Sequence, residues 1–119
     1  MITLEELETY QMADAISDKI WNLVISWDYF AKDTIGKQLA RAADSVSANL
    51  AEGYGRYFYK ENKQFCYYSR GSLLETKNWM QKAIRRGLIK ESEGKPIVDS
   101  LEIIHKKLNA YIKYIGKSC

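Results

Sequence analysis

The apolar positions of this chain recur every three or four residues, in four blocks separated by short polar or glycine-bearing joins. Ala13, Ile16, Ile20, Leu23 and Trp27 alternate steps of three and four, the spacing of a helix that lays one face on a core. They predict a first helix over about 4–27, whose acidic opening (Glu5, Glu6, Glu8) suits the positive end of a helix dipole. Ile35, Leu39, Ala42, Ala43, Val46 and Leu50 predict a second helix over about 34–53, with Asp33 or Thr34 as N-cap. It is expected to close at Gly53-Tyr54-Gly55, where glycine can take the left-handed conformation that ends helices. A third helix, about 58–86 with Gly87 as its stop, carries two stripes. Phe65, Tyr68, Ser72, Glu75 and Trp79 form one, and Cys66, Leu73, Met80 and Ile84 the other. Glu91 to Lys95 reads as a polar turn, after which Pro96 opens a last helix over about 96–116 at a position that tolerates proline. Ile97, Leu101, Ile104, Leu108, Tyr111 and Ile115 make its seam. Four long helices with short joins predict an all-α, antiparallel, up-down-up-down four-helix bundle. At 119 residues the chain is expected to be a single domain, 1–119.

The second helix has one face too many for an ordinary surface helix. Beside its apolar stripe, within roughly an 80° arc of the helical wheel, lie Gln38, Arg41, Ser45, Asn49 and Glu52. The remaining arc is small and mostly uncharged: Ala40, Ser47, Ala48 and Ala51, with Lys37 and Asp44. The helix is expected to be contacted from more than one side. Charged groups are seldom buried unpaired. The polar stripe is therefore either a solvated face or a network between the second and third helices. In the network, Arg41 pairs with Glu52 or Glu75, and Gln38, Ser45, Asn49 and Ser72 complete it. The position of Glu75 between Phe65, Tyr68 and Trp79 favours the network, which would set helix register rather than do chemistry. Glu75→Gln is then expected to destabilise the fold clearly.

Composition narrows the function classes. A 46% hydrophobic, 28% charged chain is that of a globular protein, and no stretch approaches the roughly 18 apolar residues that span a bilayer. The acidic N-terminus is the reverse of a signal peptide's basic start, so a cytoplasmic location is expected, with no membrane partner. Cys66 and Cys119 lack metal-ligand spacing, and Cys66 reads as a small core residue. His105 is the single histidine, and Glu102-x-x-His105 lacks the second such pair that a di-iron bundle needs. Gly53-x-Gly55 lacks the third glycine of a dinucleotide loop, because Phe58 stands in its place. No catalytic residue, metal site or cofactor is expected.

Net charge redirects attention to the middle of the chain. Residues 1–35 carry a net −5, residues 36–90 a net +7, and residues 91–119 a net +1. Within the cationic part, Arg56, Lys63, Arg70 and Lys77 recur every seven residues, about 10.5 Å apart on a helix. Lys60, Lys82, Arg85, Arg86 and Lys90 add to the same surface. Interleaved tyrosines (Tyr54, Tyr57, Tyr59, Tyr67) suit stacking on unpaired bases. The competing reading is a solvated charged face.

Gln38-x-x-Arg41-Ala42-Ala43-x-Ser45-Val46-x-x-Asn49-Leu50-Ala51-Glu52-Gly53-x-Gly55-Arg56, followed by Phe65, Gly71-Ser72-Leu73 and Glu75, carries a family resemblance. Over about 35–88 the chain resembles the small four-helix-bundle proteins encoded in intervening sequences of bacterial 23S ribosomal RNA genes. The resemblance implies an antiparallel bundle that assembles as a ring-like homopentamer. The chain is also similar to the accessory protein of diversity-generating retroelements, which implies nucleic acid, RNA or DNA, and a reverse transcriptase as partners. One departure is Ser47, where many members have proline, so the kink a proline imposes on the second helix lacks its cause here. The expectation is a non-enzymatic, homo-oligomeric bundle that binds RNA through Arg56, Lys60, Lys63, Arg70, Lys77, Arg85 and Arg86. The alternative is a protein-interaction or assembly module whose charged face only keeps it in solution.

Overall fold

A computed structural model of the protein describes residues 3, 4 and 7–117. Four helices and no strand are present among the described residues, in a rod of 49 × 23 × 20 Å. Helix α1 is Glu8–Val24. Helix α2 is continuous through three stretches: Tyr29–Ala31, a π-helical stretch Lys32–Gly36, and Lys37–Tyr54. Helices α3 and α4 are Tyr59–Arg85 and Glu91–Tyr114. Glu5, Glu6 and Cys119 lie outside the described residues.

Contacts across the helix pairs set the topology. Gly36 of α2 lies against Val24 at the end of α1, while Asp44 feels the charges of Asp18 and Asp14 farther back along α1. Going along α2, Arg41 meets Glu75, the Val46 carbonyl meets Ser69, and Gly53 meets Asn62, so the α3 partners descend as the α2 numbers rise. On the other edge of α3, Asn62, Arg70 and Lys77 meet Tyr111, Asn109 and Glu102 of α4. Lys107 of α4 reaches back to Glu8 of α1 at 3.0 Å and closes the ring of helices. Neighbouring helices therefore run in opposite directions.

The core follows the expected stripes in its centre. Ala13, Ile16 and Ile20 of α1, all six apolar stripe residues of α2, and Ile97, Leu101, Ile104 and Leu108 of α4 are buried. Each fully buried Leu or Ile contributes roughly 1.5–3 kcal/mol of burial energy. On α3 only one of the two stripes is core. Cys66, Leu73 and Met80 are buried with Ser69, Thr76 and Ala83, whereas Phe65, Ser72, Glu75 and Trp79 are half-buried and Tyr68 is exposed. Burial pushes the Cys66 thiol up to about 11, so it is a packed, unreactive group.

Helix ends depart from the expected boundaries, each for a local reason. Helix α1 stops at Val24, although Trp27 still turns back into the core. The N-cap of α2 is Asp28, whose carboxylate accepts from the Ala31 N–H at 3.0 Å. Asp33 and Thr34 lie inside the helix instead: Asp33 pairs with Lys37, and the Thr34 hydroxyl donates to the Phe30 carbonyl. Buried residues at 27, 31, 35, 39 and 43 step by fours, which drifts about 40° per step on a 3.6-residue helix. The wide π turn absorbs that drift and keeps the stripe on the core.

Helix α4 starts at Glu91, five residues before Pro96, with Glu91 and Glu93 at its positive end. Pro96 thus lies inside the helix, and the carbonyl it leaves without a ladder partner belongs to the exposed Ser92. At the far end of α4, Ile112 is buried and Tyr111 only half-buried, so the seam shifts by one residue before Ile115.

Gly53 and Gly55 both keep right-handed helical or near-helical backbone, and among the described residues only Gly87 and Gly116 have positive φ. Gly53 is required by packing. A Cβ there would lie 2.7 Å from Asn62 Oδ1, 2.9 Å from Phe65 Cβ and 3.0 Å from the Asn62 carbonyl oxygen. Overpacking of this kind typically costs about 1–3 kcal/mol. Gly71, on the exposed side of α3, would place its Cβ in open space. Thermal unfolding is therefore expected to show Gly53→Ala destabilised by about 1–3 kcal/mol and Gly71→Ala stabilised by about 0.4–1 kcal/mol.

Candidate nucleic-acid interface

The seven cations singled out from the sequence fall into two sets. Arg56 precedes α3 and so is not on its helical ladder. Its guanidinium donates to Glu52 at 2.7 Å and sits 4.8 Å over the Phe65 ring. Arg70 donates to the Asn109 side chain of α4 at 2.8 Å and lies 5.3 Å over Tyr67. Lys77 pairs with Glu102 of α4, and its hydrogen bond holds the Glu102 carboxyl below the usual range. These three are engaged within the bundle. Lys60, Lys63, Arg85 and Arg86 make no ion pair with another described residue. Lys60, Arg85 and Arg86 are exposed and Lys63 is half-buried.

Because Arg70 and Lys77 point at α4, the basic surface continues across the α3–α4 groove. Lys106, Lys113 and Lys117 are exposed and make no ion pair with another described residue. Lys106 lies close enough to Glu102 to help lower its pKa. The spacing analysis missed these lysines, although Lys106 and Lys113 repeat the seven-residue step of Lys63, Arg70 and Lys77. On the α1–α2 side three aspartates stand close together. Partial burial first, then Asp18 and Asp14, hold the Asp44 carboxyl above its ordinary value.

Of the polar stripe on α2, the structure brings only part to α3. Arg41 donates to Glu75 Oε2 at 2.7 Å and to the Gln38 side chain at 3.1 Å, and the Trp79 indole N–H donates to the same Glu75 oxygen at 3.1 Å. Ser45 and Asn49 donate to carbonyls of their own helix, those of Arg41 and Ser45. Glu52 is taken by Arg56, and Ser72 supplies its carbonyl to the Thr76 hydroxyl. The hydroxyl that does cross between the helices is Ser69, which donates to the Val46 carbonyl at 2.7 Å inside the core. No apolar or charge pattern marks a serine for that task.

No group of three or more His, Cys, Asp or Glu able to hold a metal occurs among the described residues. No helix among them is long and apolar enough to cross a membrane.

The family described as 23S rRNA-intervening sequence protein matches residues 5–110, which covers all of α1 to α3 and most of α4. The chain belongs to that family. It is similar in fold to a crystal structure titled as a protein with unknown function from the S23 ribosomal protein family of Bacteroides thetaiotaomicron VPI-5482. That likeness has a TM-score of 0.80 at 18% identity and covers 88% of this chain and 98% of the other. No curated protein matches. In this intervening-sequence protein, the most distinctive stretch of sequence is thus the helix that packs on two neighbours, and the free cations lie elsewhere.

Two outcomes follow from these electrostatics. The side chains of Arg41 and Glu75 are 58% and 37% exposed, so solvent screens the pair. Glu75→Gln is expected to cost no more than about 1 kcal/mol in thermal unfolding, less at high salt. The amide oxygen keeps the Trp79 bond. For Asp44, a raised carboxyl favours the folded state only when protonated, so its contribution is lost as pH rises through the folded pKa. Asp44→Asn should raise the melting temperature at pH 7, and the gain should close as pH falls through that pKa.

Proposed function

We propose that this intervening-sequence protein is a non-enzymatic RNA-binding bundle whose working surface is the basic face shared by α3 and α4. The observation that carries the reading is a set of cations on two neighbouring helices that make no ion pair with another described residue: Lys60, Lys63, Arg85 and Arg86 on and after α3, and Lys106, Lys113 and Lys117 on and after α4. They belong to α3 and α4, whereas Asp14, Asp18 and Asp44 stand together on the α1–α2 side, and this uneven charge would favour approach of a polyanion to α3 and α4. Phosphate neutralisation releases counterions, so affinity falls with salt at a slope of roughly −0.7 per contacted phosphate for a single strand.

A second reading has its own support. Tyr29 and Phe30 are 79% and 76% exposed at the start of α2, and Trp21 and Ile25 in and just after the last turn of α1 are exposed as well. An apolar patch of this kind marks an interaction surface. It fits assembly of several copies, with a homopentamer as the number the family resemblance implies, and it does not compete with a basic face on the other side.

Anisotropy of a labelled structured RNA tests the proposal. Binding should be seen at about 50 mM salt and weaken steeply by about 200 mM. Lys60→Glu with Lys63→Glu should lower affinity about tenfold or more at unchanged melting temperature, since neither lysine holds the fold together. Absence of binding at low salt, or binding indifferent to salt, would leave assembly as the function. Arg70 and Lys77 are poorer sites for charge reversal because Asn109 and Glu102 depend on them.

A further inference from the structure

One end of the bundle holds a chamber that charge alone does not explain. The start of α1, the end of α2, the start of α3 and the end of α4 converge there around a half-open cavity of about 560 Å³. Its size lies within the roughly 300–1,000 Å³ of small-molecule sites. Five of its lining residues are tyrosines, Tyr54, Tyr57, Tyr59, Tyr111 and Tyr114, and a sixth is Arg56. Resting on the proposed RNA binding, we propose that this cavity receives an unpaired nucleobase of single-stranded RNA, stacked on tyrosine rings while its phosphates lie on the lysines at the rim.

The cavity walls and floor suit that occupant. Tyr57 and Tyr114 are 89% and 65% exposed, so their rings stand at the mouth with faces open to solvent. Tyr57 is braced edge-on by Phe58 at 5.0 Å. Deeper in, Tyr111 is half-buried, and its hydroxyl accepts from the Asn62 amide at 3.4 Å. This places a hydroxyl and an amide where the polar edge of a base would arrive. Gly116, at φ +85°, lets the end of the chain pass beside Tyr59, where an added Cβ would already be 3.6 Å from the Tyr59 Cβ.

Charge separates this occupant from the other ligand that tyrosine cages favour. Quaternary ammonium groups bind between aromatic faces. Among the described residues the lining includes the Arg56 guanidinium, paired with Glu52, and no carboxylate, and Lys60, Lys113 and Lys117 adjoin the lining residues Tyr59, Tyr114 and Gly116 in sequence. A cation would meet no carboxylate among these residues. A small anion would need the lysines but none of the five rings. A base with its phosphates uses both. The second cavity, about 360 Å³ between α1 and α2, is lined by Lys32, Lys37, Arg41 and Asp44 with Trp21 as its one aromatic residue, so it lacks the set of rings that a base would stack on.

The test compares a short labelled oligouridine with a fully paired RNA duplex of equal length, each titrated with the full chain at low salt. Stacking on aromatic rings serves unpaired bases, and loss of such rings weakens single-strand binding about tenfold or more. The paired variant Tyr57→Ala with Tyr114→Ala removes two exposed rings, and Tyr57→Phe with Tyr114→Phe keeps them. The alanine pair should bind oligouridine at least about tenfold more weakly, leave duplex affinity within about twofold, and keep its melting temperature, while the phenylalanine pair binds like the parent. If the alanine pair binds oligouridine like the parent, the cavity is not the site, and salt-sensitive binding of both RNAs still upholds the basic face. If the parent protein binds neither RNA, both the cavity and the face are refuted.

Discussion

The close approach of α2 to α3 is the constraint on which the rest of the molecule depends. It is made by what these helices lack. Gly53 has no Cβ where Asn62 and Phe65 press in, and Ala42, Ala43, Cys66 and Ser69 are small residues with no exposure at all. Small side chains let backbones come near, and nearness lets the Ser69 hydroxyl reach the Val46 carbonyl at 2.7 Å. A buried hydroxyl without that carbonyl would cost about 1–3 kcal/mol, so the pair works in one register only. A slip of one residue would also drive the Gly53 cleft onto a side chain. Two weak but oriented contacts then fall into place along the same interface: Arg41 meets Glu75 toward one end, and Asn62 passes under Gly53 toward the other.

Register at this interface decides what the remaining faces of α3 can do. With Cys66, Ser69, Leu73, Thr76, Met80 and Ala83 held in the core, the edge toward α2 carries Glu75 and Trp79. The edge toward α4 carries Lys63, Arg70 and Lys77. Arg70 and Lys77 therefore serve two ends at once. They bind Asn109 and Glu102 and so align α4, and they add positive potential to the groove where Lys106 and Lys113 stand exposed. The lysines that make no ion pair with another described residue are the ones free to move onto a ligand.

What the sequence disclosed and what it hid divide along physical lines. Positions whose role is burial alone were legible, because a 3.6-residue period records them directly: Leu39, Val46, Leu50, Leu101 and Leu108 are all buried. Helix ends were less so. The π turn at Lys32–Gly36 and the start of α4 ahead of Pro96 depend on how drift and dipole are accommodated, and turn residues do not encode that. Residues whose role exists only across an interface were invisible. Ser69 reads as any helical serine, and Gly53 reads as a helix terminator although it is a packing cleft. Arg41 had two candidate acids on helical spacing alone, and only the register chooses Glu75, with Glu52 taken by Arg56. The basic surface was partly legible: its α3 half stood out by spacing, whereas its α4 half was hidden by the near-neutral balance of residues 91–119.

Antiparallel packing adds one consequence that no single helix carries. It brings the end of α2 and the end of α4 to the same pole, so tyrosines more than fifty residues apart in sequence, Tyr54 to Tyr59 and Tyr111 to Tyr114, share one cavity. The opposite pole gathers Trp21, Ile25, Tyr29 and Phe30. The rod thus has two aromatic poles of unlike character. The first is lined by five tyrosines and Arg56, and the cavity beside the second by Trp21, Ile25 and the mixed charges of Lys32, Lys37, Arg41 and Asp44. Recognition of nucleic acid and contact between proteins can then occupy opposite ends of the same bundle, each distant from the α2–α3 interface that keeps the scaffold in register.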